Sequence, residues 1–117
     1  MARFEKFEDI EAWQRARKLT CEIYKEFKHN RDFSFKDQIQ RATLSIGNNI
    51  AEGFERKGNK EFCKFLFISK GSCSEVRSML YSALDLGYIN EDKFRELYKE
   101  TVEISKMLSG LIKKLRS

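Results

Sequence analysis

The sequence has 117 residues, the length of one domain, with 41% hydrophobic residues, 35% charged residues and a net charge of +5. It contains no proline and only six glycines, which argues against an all-β fold and favours long helices. No run approaches the roughly 18 apolar residues of a membrane span, and the first residues lack the apolar core of a secretory signal. We therefore expect a cytoplasmic protein with no membrane partner.

Apolar residues at three- and four-residue steps predict a first helix over about residues 8–28. They are Ile10, Trp13, Ala16, Leu19, Ile23 and Phe27. Phe4 and Phe7 precede this helix and are positioned to fold back over one end of the molecule. The turn-forming tract HNRDFS then ends the pattern.

A second helix is predicted over residues 35–54. Ser34 is its expected N-cap, because Ser34 and Asp37 form an S-x-x-D variant of the capping box. The core stripe of this helix consists of Phe35, Ile39, Ala42, Ile46 and Ile50.

The third and fourth helices are predicted over residues 60–86 and 91–115. Asn59 and Asn90 are the expected N-caps, and Gly87 stands where a left-handed C-cap belongs. Four helices of this length, joined by short connections, predict an all-α fold. We expect one domain over residues 1–117, an antiparallel up-down-up-down four-helix bundle.

The third helix has more apolar surface than one bundle needs. Ile68, Met79 and Leu86 lie on one flank with Ser72 between them, and Cys63, Phe67 and Tyr81 lie on the other flank. Wide stripes that pack on both neighbouring helices explain part of this surplus. Contact with another copy of the chain explains it better, so we expect a homo-oligomer with Ile68, Ser72, Met79 and Leu86 as contact residues.

Gly71 lies in the middle of the same helix, where glycine costs about 1 kcal/mol relative to alanine. Close approach of another helix is one reason for a glycine there. Simple tolerance of small residues in a long helix is the alternative.

A polar stripe crosses the second helix. At 100° per residue, Arg41, Ser45, Asn48 and Glu52 align on one side. The stripe is a solvated surface, a polar subunit contact, or a ligand or nucleic-acid site. Asn and Gly are poor helix formers that cost about several tenths of a kcal/mol each, which favours the subunit contact.

The block SIGNNIAEG at residues 45–53 belongs to a longer pattern. Arg56, FCKFL at residues 62–66 and GSCSE at residues 71–75 continue it. This pattern resembles the bacterial 23S rRNA intervening-sequence proteins, also called the S23 type, over nearly the whole chain. Gly47 is one departure, since relatives often have proline there. The resemblance implies a homopentamer of four-helix bundles around a central channel. Relatives are encoded in insertions within 23S rRNA genes.

The accessory protein of diversity-generating retroelements is a more distant similar bundle. That resemblance implies a basic pentameric scaffold that binds a reverse transcriptase and nucleic acid. The number five comes from the resemblance alone.

Residues for catalysis are sparse. The single histidine, His29, has no cysteine close to it in sequence, and the three cysteines form no C-x-x-C pair, which indicates free thiols in a reducing compartment. Glu52 and Glu75 form a carboxylate pair only if the second and third helices face each other there. No glycine-rich phosphate loop is present. We therefore expect that the protein is not an enzyme and that it binds no metal, cofactor or small-molecule substrate.

Two functions remain open. In the first, the protein is an oligomeric scaffold that binds RNA or DNA through basic residues. These are Arg15, Arg17, Lys18, Arg56, Lys57, Lys60, Lys113, Lys114 and Arg116. In the second, it is a structural or protein-interaction module, such as an accessory subunit for a nucleic-acid enzyme, and its basic charge is incidental. Acidic residues interrupt the basic ones in the first and fourth helices, which argues against strong sequence-specific binding.

Overall fold

The computed structural model describes residues 4–117, which contain four long helices and no strand. After a short 3-10 turn at Phe7–Asp9, the helices are α1 (Glu11–Glu26), α2 (Phe33–Glu55), α3 (Asn59–Asp85) and α4 (Glu91–Arg116). α2 packs on α1 and α3, and α4 packs on α3 and α1. Within the same residues, no helix is both long enough and apolar enough to cross a membrane.

α1 begins three residues later than predicted. Glu8 lies in the 3-10 turn, and Ile10 then takes an extended conformation with φ −79° and ψ 119°, so α-helical geometry begins at Glu11. Phe4 and Phe7 pack against the core as expected, and the rings of Phe7 and Trp13 meet edge to face at 5.1 Å. The 3-10 turn thus brings the N-terminal aromatic residues back onto the helices.

The N-cap of α2 is Asp32, so the prediction of Ser34 was wrong. The Asp32 carboxylate accepts a hydrogen bond from the backbone N–H of Phe35 at 3.1 Å. It also accepts one from the Tyr88 hydroxyl at 2.6 Å. The hydrogen bond from Tyr88 is the larger cause that holds the pKa of Asp32 below its ordinary value. A residue distant in sequence therefore decides which of two suitable residues caps the helix.

Asn59 is not the N-cap of α3 either. Gly58 occupies that position with φ 88°, and its lack of a side chain leaves the first turn without a side-chain cap. Asn59 is the first helical residue, and its amide donates to the backbone carbonyl of Leu115 at 3.4 Å. This contact places the start of α3 beside the end of α4.

The predicted caps around the α3–α4 connection are confirmed. Gly87 has φ 75°, and the N–H groups of Gly87 and Tyr88 bond to the carbonyls of Leu84 and Ala83 at 3.1 and 2.8 Å. This is a Schellman arrangement, which requires the left-handed conformation that glycine adopts easily. Asn90 caps α4 by accepting from the N–H of Lys93 at 2.8 Å.

The core follows the predicted stripes. Side chains with no exposed surface come from every helix and include Leu19, Ile23, Ile39, Ile46, Ile50, Leu66, Val76, Leu80, Leu97, Ile104 and Leu108. Three hydroxyl residues with no exposed surface interrupt them, Thr43, Ser69 and Thr101. Each donates to a backbone carbonyl, at 2.7–2.8 Å, so their burial leaves no polar group without a partner.

Candidate nucleic-acid interface and subunit contacts

The charged ends of the polar stripe pair within α2. Arg41 Nε bonds to Asp37 Oδ2 at 2.8 Å, and Arg56 Nη2 bonds to Glu52 Oε2 at 2.9 Å, both one helical turn apart. Such exposed pairs contribute only a few tenths of a kcal/mol, about 0.3–0.5. The ends of the stripe are therefore exposed charges with local partners.

The middle of the stripe divides between two environments. Ser45 faces α3, where the Ser72 hydroxyl donates to its Oγ at 2.9 Å. The amide of Asn49 donates to both the carbonyl and the hydroxyl of Ser45 at 2.8 Å. Asn48 is exposed. Ser45 and Ser72 thus form a contact within one chain, and only Asn48 and the charged ends remain at the surface.

Gly53, at the end of the SIGNNIAEG block, has a role in packing. A Cβ atom built on Gly53 would lie 2.5 Å from Phe65 Cβ and 3.1 Å from Phe62 Cδ1. The sequence placed the end of the helix near this residue, but α2 continues to Glu55 and Gly53 is buried against α3. The hydrophobic periodicity of the sequence did not indicate that Gly53 is buried, because a glycine in a helix interface and a glycine at a helix end look alike in sequence.

The surplus apolar surface of α3 is smaller than the sequence indicated. Ile68 and Leu86 are 52% and 58% exposed, whereas Met79 is partly buried and packs against the core. Ser72 is only 8% exposed. Of the four predicted contact residues on this helix, Ile68 and Leu86 therefore present the available apolar surface.

The opposite flank of α3 meets α4. Tyr81 is half exposed, and its ring packs on the rings of Phe94 and Tyr98 at 5.0 and 5.6 Å. Phe67 is 48% exposed, and Cys63 is buried. Much of this flank is therefore accounted for by packing within the chain.

Six basic residues lie at the end of the molecule where α2 ends, α3 begins and α4 ends. We call them the basic end, and they are Arg56, Lys57, Lys60, Lys113, Lys114 and Arg116. All six are exposed. The hydrogen bond between Asn59 and Leu115 joins the two segments that carry them. Among residues 4–117, only Arg56 of this group takes part in an ion pair. The exposed carboxylate of Glu55 and the partly exposed Glu61, which pairs with Lys64, lie nearby in sequence.

The predicted basic residues of α1 have a different environment. Arg15 makes two hydrogen bonds to Glu100 of α4, Nε to Oε1 and Nη2 to Oε2, both at 2.8 Å. These bonds are the largest cause that raises the pKa of Arg15. Arg15 thus joins α1 to α4 and is a poor phosphate ligand. Arg17 lies 5.9 Å from the centre of the Trp13 ring, and Lys18 is exposed.

Carboxylates crowd the same α1–α4 contact. Burial, and then the neighbouring carboxylate of Glu96, raise the pKa of Glu22. Lys93 opposes this shift, and Glu100 adds to it. Lys93 also lies 3.3 Å from Glu96 and 4.0 Å from Glu26. The seam between α1 and α4 is therefore charged, with one carboxylate in an unfavourable position.

Glu52 and Glu75, which would pair only if α2 and α3 faced each other there, do not form a carboxylate pair. Glu75 accepts a hydrogen bond from Gln38 at 3.3 Å, near the start of α2, while Glu52 pairs with Arg56 near its end. Burial raises the pKa of the Cys73 thiol to about 12, which keeps it protonated at neutral pH. Across the part of the chain that the structure describes, no group of three His, Cys, Asp or Glu residues is placed to hold a metal.

A cavity of about 510 Å³ opens beside the basic end. Its lining residues are Phe4, Glu5, Phe54, Arg56, Gly58, Asn59, Phe62 and Leu115. The rings of Phe54 and Phe62 meet edge to face at 5.9 Å. Sequence reasoning missed this cavity, since its walls come from three distant segments, residues 4–5, 54–62 and 115, and only the position of Phe4 gave a hint.

Together these features describe an all-helical protein with a basic end and an apolar α3 surface. The chain belongs to the 23S rRNA-intervening sequence protein family, whose model matches residues 8–110. Its fold is similar to a crystal structure from Bacteroides thetaiotaomicron, described as a protein of unknown function from the S23 ribosomal protein family. The TM-score is 0.82 at 24% identity, over 87% of this chain and 98% of that one. No curated protein matches the sequence.

Proposed function

We propose that this protein is a non-enzymatic, cytoplasmic scaffold that assembles as a homopentamer and binds RNA or DNA through its basic end. Each subunit is one domain over residues 1–117, an antiparallel up-down-up-down four-helix bundle. The order of contacts between α2 and α3 supports this arrangement, since Gln38 meets Glu75, Ile46 meets Ser69 and Gly53 meets Phe65. The exposed residues Ile68 and Leu86 support self-association, and the number five rests on the resemblance to the family alone.

The basic end carries the proposal for nucleic-acid binding. Five of its six cations have no carboxylate partner among residues 4–117, so they can reach phosphates without breaking an ion pair. In a ring of subunits the cluster is repeated around the assembly, which strengthens weak binding to a long polyanion through multivalency.

A salt titration tests this function. Binding of a structured RNA or a DNA duplex should weaken steeply with salt, with a log–log slope of about 0.7–0.9 for each phosphate that the protein neutralises. The triple variant Lys57→Gln, Lys60→Gln and Lys113→Gln should bind more weakly and with a shallower slope. The matched control changes the exposed Lys25, Lys28 and Lys99 to Gln, which removes the same charge elsewhere.

Two results would oppose the proposal. The first is no retention of either nucleic acid at low salt by the wild-type protein. The second is an equal loss of binding in the test and control variants, which would show that the loss results from the change in net charge alone.

A structural or protein-interaction module, for example an accessory subunit of a nucleic-acid enzyme, is the second candidate. The exposed apolar side chains of Phe67, Ile68 and Leu86 favour it, since a protein partner would bury them. Purification from native cells with and without nuclease separates the candidates. A single protein partner that survives nuclease treatment supports the module, and its loss with nuclease supports the nucleic-acid scaffold.

A further inference from the structure

The cavity beside the basic end is lined in part by aromatic side chains, which the binding of phosphate by basic residues does not require. Phe4 and Phe54 are partly exposed and Phe62 is 7% exposed, so aromatic carbon forms part of its wall. Leu115 adds an aliphatic surface. A volume of about 510 Å³ falls within the 300–1,000 Å³ range typical of small-ligand pockets. The site therefore has room for a planar ring beside aromatic side chains.

Polar groups occur at one side of this cavity. The Nη2–H group of Arg56 donates a hydrogen bond to Glu52. The other guanidinium N–H groups of Arg56 make no hydrogen bond within residues 4–117. Asn59 donates its amide nitrogen to Leu115, which leaves the amide oxygen as an acceptor. Lys57 and Lys60 flank these two residues in the chain. Cations and an amide thus border an aromatic pocket.

We propose that this cavity receives one unpaired base of a single-stranded nucleic acid, whose phosphates lie on the basic end. The inference rests on the proposed nucleic-acid binding. It specifies that the nucleic acid is single-stranded and that one of its bases binds in this cavity. Bases stack on aromatic side chains irrespective of sequence, whereas a duplex keeps its bases inside. The charge of the surrounding residues matches a polyanionic strand better than an apolar peptide.

Glu5 is the one carboxylate in the wall, and it fixes the orientation of the bound base. It repels phosphate, so the backbone is directed toward Arg56, Lys57 and Lys60. It also accepts hydrogen bonds, so it suits the amino group of a base. The base edge therefore points toward Glu5 and the sugar toward the α2–α3 turn.

Fluorescence anisotropy with two labelled strands of equal length tests the proposal. One is a single-stranded RNA, and the other has the same backbone with abasic sites. The wild-type protein should bind the base-containing strand about five- to tenfold more tightly. Phe4→Leu and Phe54→Leu should each remove most of this difference and leave affinity for the abasic strand unchanged. The control Phe33→Leu, a 67% exposed aromatic residue at the start of α2, should keep the difference.

The outcomes separate this inference from the proposed function. If the wild-type protein binds neither strand, the proposed function and the inference fall together. If it binds both strands equally, or if the Phe variants keep the preference for bases, binding through the basic end stands and the base pocket is overturned. Preference for an apolar peptide at the same cavity would likewise overturn it.

Photocrosslinking gives a second measurement that needs no variant. A strand containing 4-thiouridine should attach to peptides that contain Phe4, Phe54 or Phe62, as located by mass spectrometry. Attachment confined to α1 would contradict the pocket. This result is decisive even if Phe54→Leu fails to fold.

Discussion

Gly53 shows how one absent side chain determines helix packing. In an isolated helix, alanine is more favourable than glycine by about 1 kcal/mol. At Gly53, however, the added methyl group would overlap Phe65 Cβ, whose position is fixed by the α3 backbone. Steric overlap therefore outweighs helix propensity at this position.

Gly53→Ala should lower the free energy of unfolding by roughly 1–3 kcal/mol, the usual cost of overpacking. Gly47→Ala is its matched control on the same helix. A Cβ there lies 3.6 Å from Trp13, an ordinary contact, so we expect a gain of up to about 1 kcal/mol. Urea unfolding of both variants measures the difference. Equal effects would show that α2 and α3 separate to admit a methyl group.

Some residue-scale features were predictable because their signals are local. Gly87 and Asn90 are within a few residues of the backbone groups they satisfy, and both predictions are confirmed. Asp32 and Ser34 are both good caps, and the choice between them depends on Tyr88, which is 56 positions away. The Arg15–Glu100 pair spans 85 positions and leaves no trace in a single sequence.

At the scale of helices, the periodic stripes predicted the core well. Each isoleucine of the α2 stripe is fully buried, because helical spacing alone determines which residues share a face. The same spacing does not tell which neighbour a polar face meets. Ser45 faces Ser72 within the chain, whereas Asn48 faces outward, although both lie on one predicted stripe.

The charged contact between α1 and α4 makes stability depend on pH. Because the pKa of Glu22 is raised in the folded state, its contribution is present below its ordinary pKa of 4.5. That contribution is lost as the pH rises through the raised value. The ionised Glu22 thus opposes folding at neutral pH.

Glu22→Gln should therefore stabilise the protein at about pH 7 and have little effect at about pH 4. Glu55→Gln serves as control, since Glu55 is exposed and the variant carries the same change in charge. Chemical unfolding at both pH values measures the effect. An equal gain in stability at both pH values would show that the effect of Glu22→Gln comes from packing. An equal gain in Glu55→Gln would show that it comes from net charge.

At the scale of the whole molecule, the proposed assembly uses the surface of α3 that the chain leaves uncovered. No atom of another helix lies within 4 Å of a Cβ added at Gly71, on the same outer side of α3. Close approach at Gly71 therefore requires another subunit. The apolar residues available for that contact are Ile68 and Leu86.

The double variant Ile68→Glu and Leu86→Glu should dissociate the oligomer and keep its helical content. Met79 is unsuitable for this test, because it packs against the core and its loss would disturb folding. Phe33→Ser is the control for removing an exposed apolar residue elsewhere. Light scattering coupled to chromatography reports the mass, and a variant that keeps the wild-type mass would place the subunit contact on another surface.

The hydrogen bond from Tyr88 to Asp32 has a consequence for how the molecule opens. Tyr88, two residues after the C-cap Leu86 of α3, donates to the residue that caps α2, so fraying of the first turn of α2 also breaks this contact with the α3–α4 connection. The first turn of α3, behind Gly58, has no side-chain cap, and its link to another helix is the longer hydrogen bond of 3.4 Å from Asn59 to Leu115. We therefore expect amide protons at the start of α2 to exchange with solvent more slowly than those at the start of α3.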